Sequence, residues 1–429
     1  MDDLLKSYGA AIEALFARTT SGIKPGLERT EALLAKLGHP HRQLSAVHVA
    51  GTNGKGSVVA TAEALLRWKG LKVGRYTSPH LIDFRERITV DGIPITEEAV
   101  LEFLQRWIPT AEEIGATFFE LTTALAFEWF VKQNVDIAVI ETGLGGRLDS
   151  TNVLTPRVAT VTSIGLDHTD LLGDTLEAIA REKAGIFKAE IPAVIGEQSP
   201  PIRAVLESCA RNVGARPIVT IDVATTIEEI EVSPRGTEFI LHGGAVRERI
   251  TTPLIGSYQA LNTAVSIATV GALGGNYHLP ASEIGSALSR VFLPGRFQLR
   301  GKIIFDVAHN PAGARTIAET IHALSPPSPR TALVAVLADK DWRGIIRELA
   351  PGVDRFVFTN APSAPTDRRW DPAAAHSFAK SEGFASELEP DMDAALERGE
   401  KHSATLLITG SFHTVGDAMA RLQVSPFAA

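Results

Sequence analysis

A glycine-rich turn at residues 51–57 constrains the fold of this chain more than any other stretch of the sequence. The apolar, β-branched run of residues 47–50 enters this turn, and a helical pattern leaves it from Val58 to Trp68. A strand, a glycine-rich turn and a helix in this order are typical of a phosphate-binding site in an α/β protein. The alternative is a strand-to-helix turn that binds nothing.

The residue types in this turn suit a bound phosphate. The turn reads Gly51-Thr52-Asn53-Gly54-Lys55-Gly56-Ser57. Its glycines let backbone N–H groups approach phosphate oxygens, and the start of the next helix adds unpaired N–H groups. Lys55 supplies a positive charge, and Ser57 supplies a hydroxyl suited to Mg²⁺. The common P-loop pattern is G-x-x-x-x-G-K-[ST], whereas this loop is shorter and Gly56 separates the lysine from the serine.

Composition and charge limit the class of protein. A chain of 429 residues exceeds what one hydrophobic core usually serves, so we expect two domains. The net charge of −8 argues against a nucleic-acid or membrane-surface partner. The single cysteine, Cys209, cannot form an intrachain disulfide, which is typical of a reducing cytoplasm. The start of the chain has no signal-peptide pattern, and no apolar run is long enough to span a bilayer. We therefore predict a cytoplasmic protein.

Three predicted strands each end in a candidate ligand. Ser78 follows the strand at 71–76, Glu141 ends the strand at 136–141, and His168 follows the strand at 158–164. Ligands of open α/β sheets bind at the carboxyl edge, and an acid beside the phosphate loop suits a Mg²⁺ ligand. The alternatives are a turn cap for Ser78 and a buried, hydrogen-bonded His168. The repetition favours a shared site.

From the residues alone, two further segments have structural interpretations, and a role in substrate binding is the alternative for the first of them. Phe118 opens a mostly apolar helix that runs to Phe130, and Glu120 lies in its first turn, where the helix dipole favours a carboxylate. Lys183 lies near a helix C-terminus, where a lysine is normally solvated and favourable to the dipole.

The last third of the chain predicts a second sheet. Strand–helix units begin near residues 303–307, 332–337, 355–359 and 405–409, after a Pro294-Gly295 junction. We therefore predict an α/β protein of two domains. Residues 1–294 would form a large P-loop NTPase-like domain with a parallel-sheet core, and residues 295–429 a smaller Rossmann-like domain.

The motifs together resemble folylpolyglutamate synthase and dihydrofolate synthase, members of the Mur ligase superfamily. The segments that carry the resemblance span nearly the whole chain: 51–57, Thr77-Ser78-Pro79-His80-Leu81, Glu141-Thr142-Gly143-Leu144-Gly145-Gly146-Arg147-Leu148-Asp149, Lys183-Ala184-Gly185-Ile186 and Asp306-Val307-Ala308-His309-Asn310-Pro311. The shortened phosphate loop is normal in this superfamily, and its Gly-Ser ending resembles the folate branch.

The resemblance implies an ATP- and Mg²⁺-dependent amide ligase. A carboxylate of dihydropteroate, or of the glutamyl tail of a reduced folate, would attack the γ-phosphate of ATP and form an acyl phosphate. The amine of L-glutamate would then displace phosphate and leave an amide. Such reactions depend mostly on positioning and on neutralising charge. The family also implies a monomer.

The resemblance further implies a role for individual residues. The catalytic residues would be Lys55, Glu141, His168 and Lys183, with Lys183 converted to a carbamate. One Mg²⁺ would be held by Ser57, Ser78 and Glu141, and a second by Glu141 with His168. ATP would be contacted by Gly51, Thr52, Asn53, Gly54, Lys55, Gly56, Ser57, Asn262, Arg296, Asp306 and His309. The folate would be contacted by Phe118, Thr122, Asp149 and the loop after Gly22.

Two other functions compete with this interpretation. A Mur-type ligase acting on a UDP-muramyl substrate would need an N-terminal domain of about a hundred residues, yet only 46 residues precede the nucleotide strand. A nucleotide-binding regulatory or transport protein would not need Glu141, His168 and Lys183. The sequence does not decide between dihydropteroate and reduced folates as acceptor.

Overall fold

The computed structural model describes residues 7–18, 26–222, 226–243 and 246–427. The loop after Gly22, predicted to contact folate, lies outside these residues. The chain forms two compact units. The first contains Met1–Pro79, Phe84–Thr226 and Asn262–Leu288, and the second contains His80–Asp83, Ile227–Leu261 and Ser289–Ala429. The units thus interleave along the sequence, and the predicted domain boundary between residues 294 and 295 stays a prediction.

The first unit is built on a mixed sheet of eight strands in the order β4-β3-β2-β5-β1-β6-β7-β8. Its strands are β1 (Ala46–Ala50), β2 (Val73–Tyr76), β3 (Ile88–Val90), β4 (Ile93–Pro94), β5 (Ile137–Glu141), β6 (Val158–Val161), β7 (Ala193–Ile195) and β8 (Ile218–Thr220). Six neighbouring strands of this sheet run parallel, namely β2, β5, β1, β6, β7 and β8. The strands β3 and β4 pair in the antiparallel direction. Apolar β-branched runs suit the central strands because both faces are covered.

Helices cover both faces of this sheet. They are α1 (Tyr8–Ala17), α2 (Glu28–Lys36), α3 (Lys55–Trp68), α4 (Glu97–Ile114), α5 (Phe118–Lys132), α6 (Thr169–Leu172), α7 (Leu176–Ala184), α8 (Pro200–Val213), α9 (Tyr258–Ala272) and α10 (Ala281–Leu288). Side chains such as Ala46 and Ile140 pack with α1, α2, α4 and α5, and Ala159 and Ile195 pack with α7 and α8. The other face of the sheet packs against α3 and α9. The hydroxyl of Thr160 in β6 lies 2.9 Å from the hydroxyl of Thr269 in α9.

The second unit has a six-stranded sheet in the order β12-β13-β17-β14-β15-β16, in which β12 alone is antiparallel. Its strands are β12 (Gln298–Arg300), β13 (Ile303–Phe305), β14 (Arg330–Val334), β15 (Arg355–Phe358), β16 (Ser386–Leu388) and β17 (Thr405–Thr409). A separate antiparallel sheet contains β9 (Ile227–Ser233), β10 (Gly236–Gly243) and β11 (Val246–Thr252).

Alternating side chains of the six-stranded sheet enter two cores. Ile304 and Phe356 face one core with α11 (Pro311–Leu324), α12 (Trp342–Leu349) and α13 (Pro372–Ser381). Phe305 and Val357 face the other core with α14 (Met392–His402) and α15 (Phe412–Arg421). The predicted α/β class, with a parallel-sheet core in the first unit and a smaller α/β sheet in the second, is confirmed. Among the helices described, none combines the length and the apolar character that crossing a membrane requires.

Candidate active site at the phosphate loop

The phosphate loop connects β1 to α3 and depends on two glycines. Gly51 has φ +152° and Gly54 has φ +90°, both in the region that favours glycine. A Cβ on Gly51 would lie 1.8 Å from the Thr162 hydroxyl, and a Cβ on Gly54 would lie 2.5 Å from the Asn262 amide oxygen. Both glycines are therefore required by close approach as well as by backbone conformation, and the loop passes directly beside Asn262.

Hydrogen bonds fix the loop to the segment that follows β6. The Thr52 N–H donates to the Ser163 carbonyl at 2.7 Å. The hydroxyls of Thr162 and Ser163 both donate to the Asn53 carbonyl, at 2.7 and 3.1 Å. These bonds fix the position of the loop relative to the segment after β6. The sequence interpretation did not single out Thr162 or Ser163, because their role depends on the pairing of β6 beside β1.

Two lysines converge on one carbonyl of the loop. The Lys55 ammonium donates to the Gly51 carbonyl at 3.0 Å, and the Lys183 ammonium donates to the same oxygen at 2.8 Å. Lys183 is only 5% exposed. Burial, with the nearby Lys55 charge, lowers the pKa of Lys183 to about 7, while the carboxylates of Asp167 and Asp149 act in the opposite direction. Lys183 is thus part of the phosphate loop's surroundings and not a solvated helix end.

Glu141 and Ser78 meet at the carboxyl edge of the sheet. The strands β2, β5, β1 and β6 are neighbours, so their carboxyl ends share an edge. Glu141 is 5% exposed, and its carboxylate accepts the Ser78 N–H at 3.4 Å. The register places Glu141 opposite Val49, two residues before Gly51. Ser57 is buried in the first turn of α3, the helix that the loop leads into.

His168 lies in the loop after β6, at the N-terminus of α6, with φ +51°. Its side chain is partly exposed, and its Nε2 lies 3.8 Å from an Asp167 carboxylate oxygen. That carboxylate also accepts the His168 backbone N–H at 2.9 Å. Asp167 and its influence on Lys183 were missed by the sequence interpretation. The rule that selected His168, a polar residue directly after a strand, covers Asp167 equally well.

The donors available to a metal are mainly oxygen atoms. Within the described part of the chain, no group of three or more His, Cys, Asp or Glu side chains is arranged to hold a metal ion. Of the four residues predicted to bind metal, only Glu141 and His168 carry side chains of these types. The other two, Ser57 and Ser78, offer hydroxyl groups. Mg²⁺ keeps several waters and binds one or two carboxylates together with substrate phosphates. The chemistry of this donor set therefore fits Mg²⁺ bound with a nucleotide.

The segment after Glu141 is tied to the helix that carries Lys183. The Arg147 N–H donates to the Glu182 carbonyl at 2.8 Å, and the Arg147 guanidinium pairs with the Glu182 carboxylate at 2.8 Å. The Asn152 amide donates to the carbonyls of Arg147 and Gly185 at 2.9 and 3.1 Å. This bracing fixes the C-terminal end of α7, and with it Lys183, relative to the glycine-rich segment.

Asp149 is a buried carboxylate in a hydrogen-bonded turn. It accepts the Leu144 N–H at 2.8 Å and the Thr151 N–H at 3.0 Å. The Thr151 hydroxyl donates to the same carboxylate. Burial raises the pKa of Asp149, and these hydrogen bonds oppose the increase.

The predicted folate residues of α5 lie in an aromatic core. Phe118 stacks on Phe16 at 5.1 Å between ring centroids, and the Arg87 guanidinium lies 5.1 Å from the Phe118 ring. The Thr122 hydroxyl donates to the Phe118 carbonyl at 2.8 Å. Glu120 forms a capping box with Thr117 and pairs with Arg29 at 3.0 Å. Glu120 therefore caps the N-terminus of its helix, as expected for a carboxylate in the first turn.

The remaining predicted ATP residues divide between the units. Asn262 groups with the first unit, and Arg296, Asp306 and His309 group with the second. Asp306 accepts the N–H groups of Phe297 and Ala308, both at 2.8 Å, and burial raises its pKa. The Arg296 guanidinium lies 5.0 Å from the Phe412 ring, and the His309 ring lies 5.9 Å from the same ring. These three polar residues therefore form one cluster within the second unit.

Comparisons with known proteins agree across the chain. The Mur ligase middle domain family matches residues 49–270, and the Mur ligase, glutamate ligase domain family matches residues 295–412. A dihydrofolate synthase/folylpolyglutamate synthase of Bacillus subtilis is 35% identical over 433 residues, covering 98% of this chain and 100% of the relative. This chain belongs to the dihydrofolate synthase/folylpolyglutamate synthase family.

Solved structures of this synthase family have the same fold. A Mycobacterium tuberculosis folylpolyglutamate synthase complexed with ADP and AMPPCP has a TM-score of 0.89 at 31% identity, covering 98% of this chain and 100% of that one. A bifunctional folylpolyglutamate synthase/dihydrofolate synthase with Mn, AMPPNP and L-glutamate bound has a TM-score of 0.83 at 31% identity, covering 97% and 98%. The chain is thus a ligase, and the predicted family and enzyme class are confirmed. The roles of individual site residues in this family member stay predictions.

Proposed function

We propose that this chain is an ATP- and Mg²⁺-dependent ligase that joins L-glutamate to dihydropteroate, to the glutamyl tail of reduced folates, or to both. The observation that carries the proposal is the phosphate loop with two lysines on the Gly51 carbonyl, beside a buried Glu141. Its relatives support the substrates, because one of them is solved with a nucleotide analogue, Mn and L-glutamate.

The first step would transfer a phosphoryl group. A carboxylate oxygen of the acceptor attacks the γ-phosphorus of ATP, the bond to the bridging oxygen breaks, and ADP leaves. The N–H groups at the start of α3 and the Lys55 ammonium would hold the phosphates as negative charge moves onto the leaving group. The amine nitrogen of L-glutamate then attacks the acyl carbon, releases phosphate and loses a proton.

Ser57, Ser78 and Glu141 would hold one Mg²⁺, and Glu141 with His168 would hold a second. When bound, the metal supplies positive charge to the phosphate oxygens. Asn262, Arg296, Asp306 and His309 would contact ATP, and Phe118, Thr122 and Asp149 would contact the folate.

Lys183 would act as a carbamate. Its pKa of about 7 leaves much of the amine unprotonated at neutral pH. The neutral nitrogen can attack carbon dioxide, forming an N–C bond and releasing a proton, which converts a buried cation into an oxygen ligand. Lys183→Ala should be inactive and partly rescued by short carboxylates such as formate or acetate, and a failure of rescue at every concentration would contradict the carbamate.

We further propose a cytoplasmic monomer whose sequence divides into an ATP-binding domain at residues 1–294 and a glutamate-ligase domain at 295–429, although Ile227–Leu261 groups with the second compact unit. Size-exclusion chromatography with light scattering tests the oligomeric state.

The deciding experiment measures phosphate release with ATP, Mg²⁺ and L-glutamate, comparing dihydropteroate and tetrahydrofolate as acceptors. Release with both acceptors identifies a bifunctional enzyme, and release with one assigns the activity. Omission of L-glutamate is the control for simple ATP hydrolysis. No release with either acceptor, in folded protein that still binds ATP, would refute the proposal and favour another amino-acid ligase of the superfamily.

A further inference from the structure

A fully buried histidine lies in the strand that leads to the phosphate loop. His48 is the middle residue of β1 and is 0% exposed. Its side chain shares a sheet face with Ala46 and Ala50, since alternate residues of a strand point the same way. On that face its Nε2 lies 2.8 Å from the Thr151 hydroxyl, in the short helix Ser150–Val153.

The hydrogen bonds continue from Thr151 to Asp149. The Thr151 hydroxyl donates to the Asp149 carboxylate. A hydroxyl has one hydrogen to donate and can accept with its lone pairs. The Thr151 oxygen must therefore accept from His48, which places the His48 hydrogen on Nε2. The chain of bonds runs His48 to Thr151 to Asp149, and the Asp149 carboxylate in turn accepts the Leu144 N–H.

His48 is held in a single protonation state. Burial lowers its pKa to about 3, and the charge of Lys188 acts in the same direction. The imidazole is therefore neutral at any pH near neutrality, and its role is that of a fixed hydrogen-bond donor.

Burying His48 in this strand lowers the stability of the fold, so we expect the histidine to provide a functional benefit. Among the described residues, His48 Nδ1 is buried and has no hydrogen-bond partner. A buried polar atom without a partner destabilises the folded state, whereas valine or leucine would suit the interior of a parallel strand. Within the described part of the chain the imidazole has one hydrogen-bond partner, the Thr151 hydroxyl, so the benefit is expected at Thr151 and Asp149.

We propose that His48 is a positioning residue for the folate acceptor. By donating to Thr151 it directs the Thr151 hydrogen onto Asp149, so that this buried carboxylate remains an oriented acceptor for N–H donors of the pterin ring. This inference rests on the proposed contact of Asp149 with the folate. His48 itself touches no substrate in this scheme.

Three substitutions separate positioning from packing. His48→Gln places an amide N–H near the position of Nε2, His48→Asn places its amide near the position of Nδ1, and His48→Leu has no donor. The measurement is steady-state kinetics with dihydropteroate and with tetrahydrofolate, separating the acceptor KM from kcat and from the KM for ATP. Thermal unfolding of each variant measures the packing effect independently.

Loss of the donor should act on acceptor binding. The acceptor KM should rise about five- to tenfold in His48→Leu, as expected for one neutral hydrogen bond, with the KM for ATP unchanged. His48→Gln should recover most of the loss and His48→Asn should not. An unchanged acceptor KM in His48→Leu, or equal values for the Gln and Asn variants, would overturn the proposal. If His48→Leu does not fold, the comparison of Gln with Asn decides.

Asp149→Asn distinguishes this inference from the proposed function. A raised acceptor KM in Asp149→Asn with no effect in His48→Leu would reject the His48 role alone. An unchanged acceptor KM in Asp149→Asn would reject the folate contact of Asp149, and the positioning role with it. Absence of glutamate ligation by the unmodified enzyme would instead refute the proposed function.

Discussion

Replacing Lys183 by methionine should make the protein more stable while removing its activity. The pKa of Lys183 is lowered from 10.5 to about 7, chiefly by burial and then by the charge of Lys55. At 1.36 kcal/mol per pKa unit this corresponds to about 5 kcal/mol of destabilisation when the lysine is charged. The hydrogen bond to the Gly51 carbonyl is lost in the variant, which offsets about 1 kcal/mol. At pH 7 the folded protein holds this proton only half of the time, which reduces the destabilisation to about 4 kcal/mol, and we expect a net gain of about 3 kcal/mol.

The direction of the pH dependence follows from proton binding. Below pH 7 both the folded and the unfolded protein hold the proton, and the destabilisation is complete. Between pH 7 and 10.5 the unfolded state binds the proton and the folded state does not, so the free energy of unfolding of the unmodified protein rises with pH. The rise relative to Lys183→Met should be about 1.4 kcal/mol per pH unit.

The assay is urea unfolding of both proteins from pH 6.5 to pH 10, in buffers freed of carbon dioxide so that no carbamate forms. Contributions of other titrating groups cancel in the difference between the two proteins. The stability advantage of Lys183→Met should shrink steadily and vanish near pH 10. Parallel curves, or a variant less stable than the unmodified protein at pH 7, would refute a depressed pKa at Lys183.

Three further predictions concern the loop, the metal site and the core. Glu141→Ala should abolish turnover with an unchanged unfolding temperature, and near-normal turnover would remove this residue from the site. Gly54→Ala should weaken ATP binding in calorimetry about tenfold or more, because strain at such a backbone position costs about 1–3 kcal/mol; Gly70→Ala, at φ +78° in open space, is the control that should bind ATP normally. Arg29→Met should lower the free energy of unfolding by about 2 kcal/mol, because it leaves the buried Glu120 carboxylate without its ion-pair partner. Adding Glu120→Gln to this variant should restore part of the lost stability. Equal stability of the single and the double variant would contradict this reasoning.

The order of the elements could be predicted because it depends on local patterns. The strands β1 and β5 consist of apolar and β-branched runs, and Gly51 and Gly143 follow closely after their ends. The predicted ends of the strands were less accurate than their order. The strand predicted at 158–164 ends at Val161, because the hydroxyls of Thr162 and Ser163 turn to the Asn53 carbonyl. The strand predicted at 332–337 occupies Arg330–Val334, and the apolar run continues past its end into the core.

The surroundings of the site could not be predicted from local patterns. Lys183 reads as a solvated helix end, and only the folded chain places its amine against the Gly51 carbonyl, 132 residues away. The hydrogen bond from His48 to Thr151 spans 103 residues and leaves no periodic signal in the sequence. The family resemblance supplied Lys183, while His48 required the structure.

The interleaving of the two units has a consequence for how this protein can be divided and made. The chain passes between the units at residues 80, 84, 227, 262 and 289. A gene truncated after residue 294 would still encode Ile227–Leu261, yet it would lack most of the unit to which this segment belongs. During synthesis, the same segment emerges from the ribosome long before β13 to β17 exist. The second unit therefore cannot be completed until its last strands and helices have been synthesised, and neither unit can be excised by a single cut.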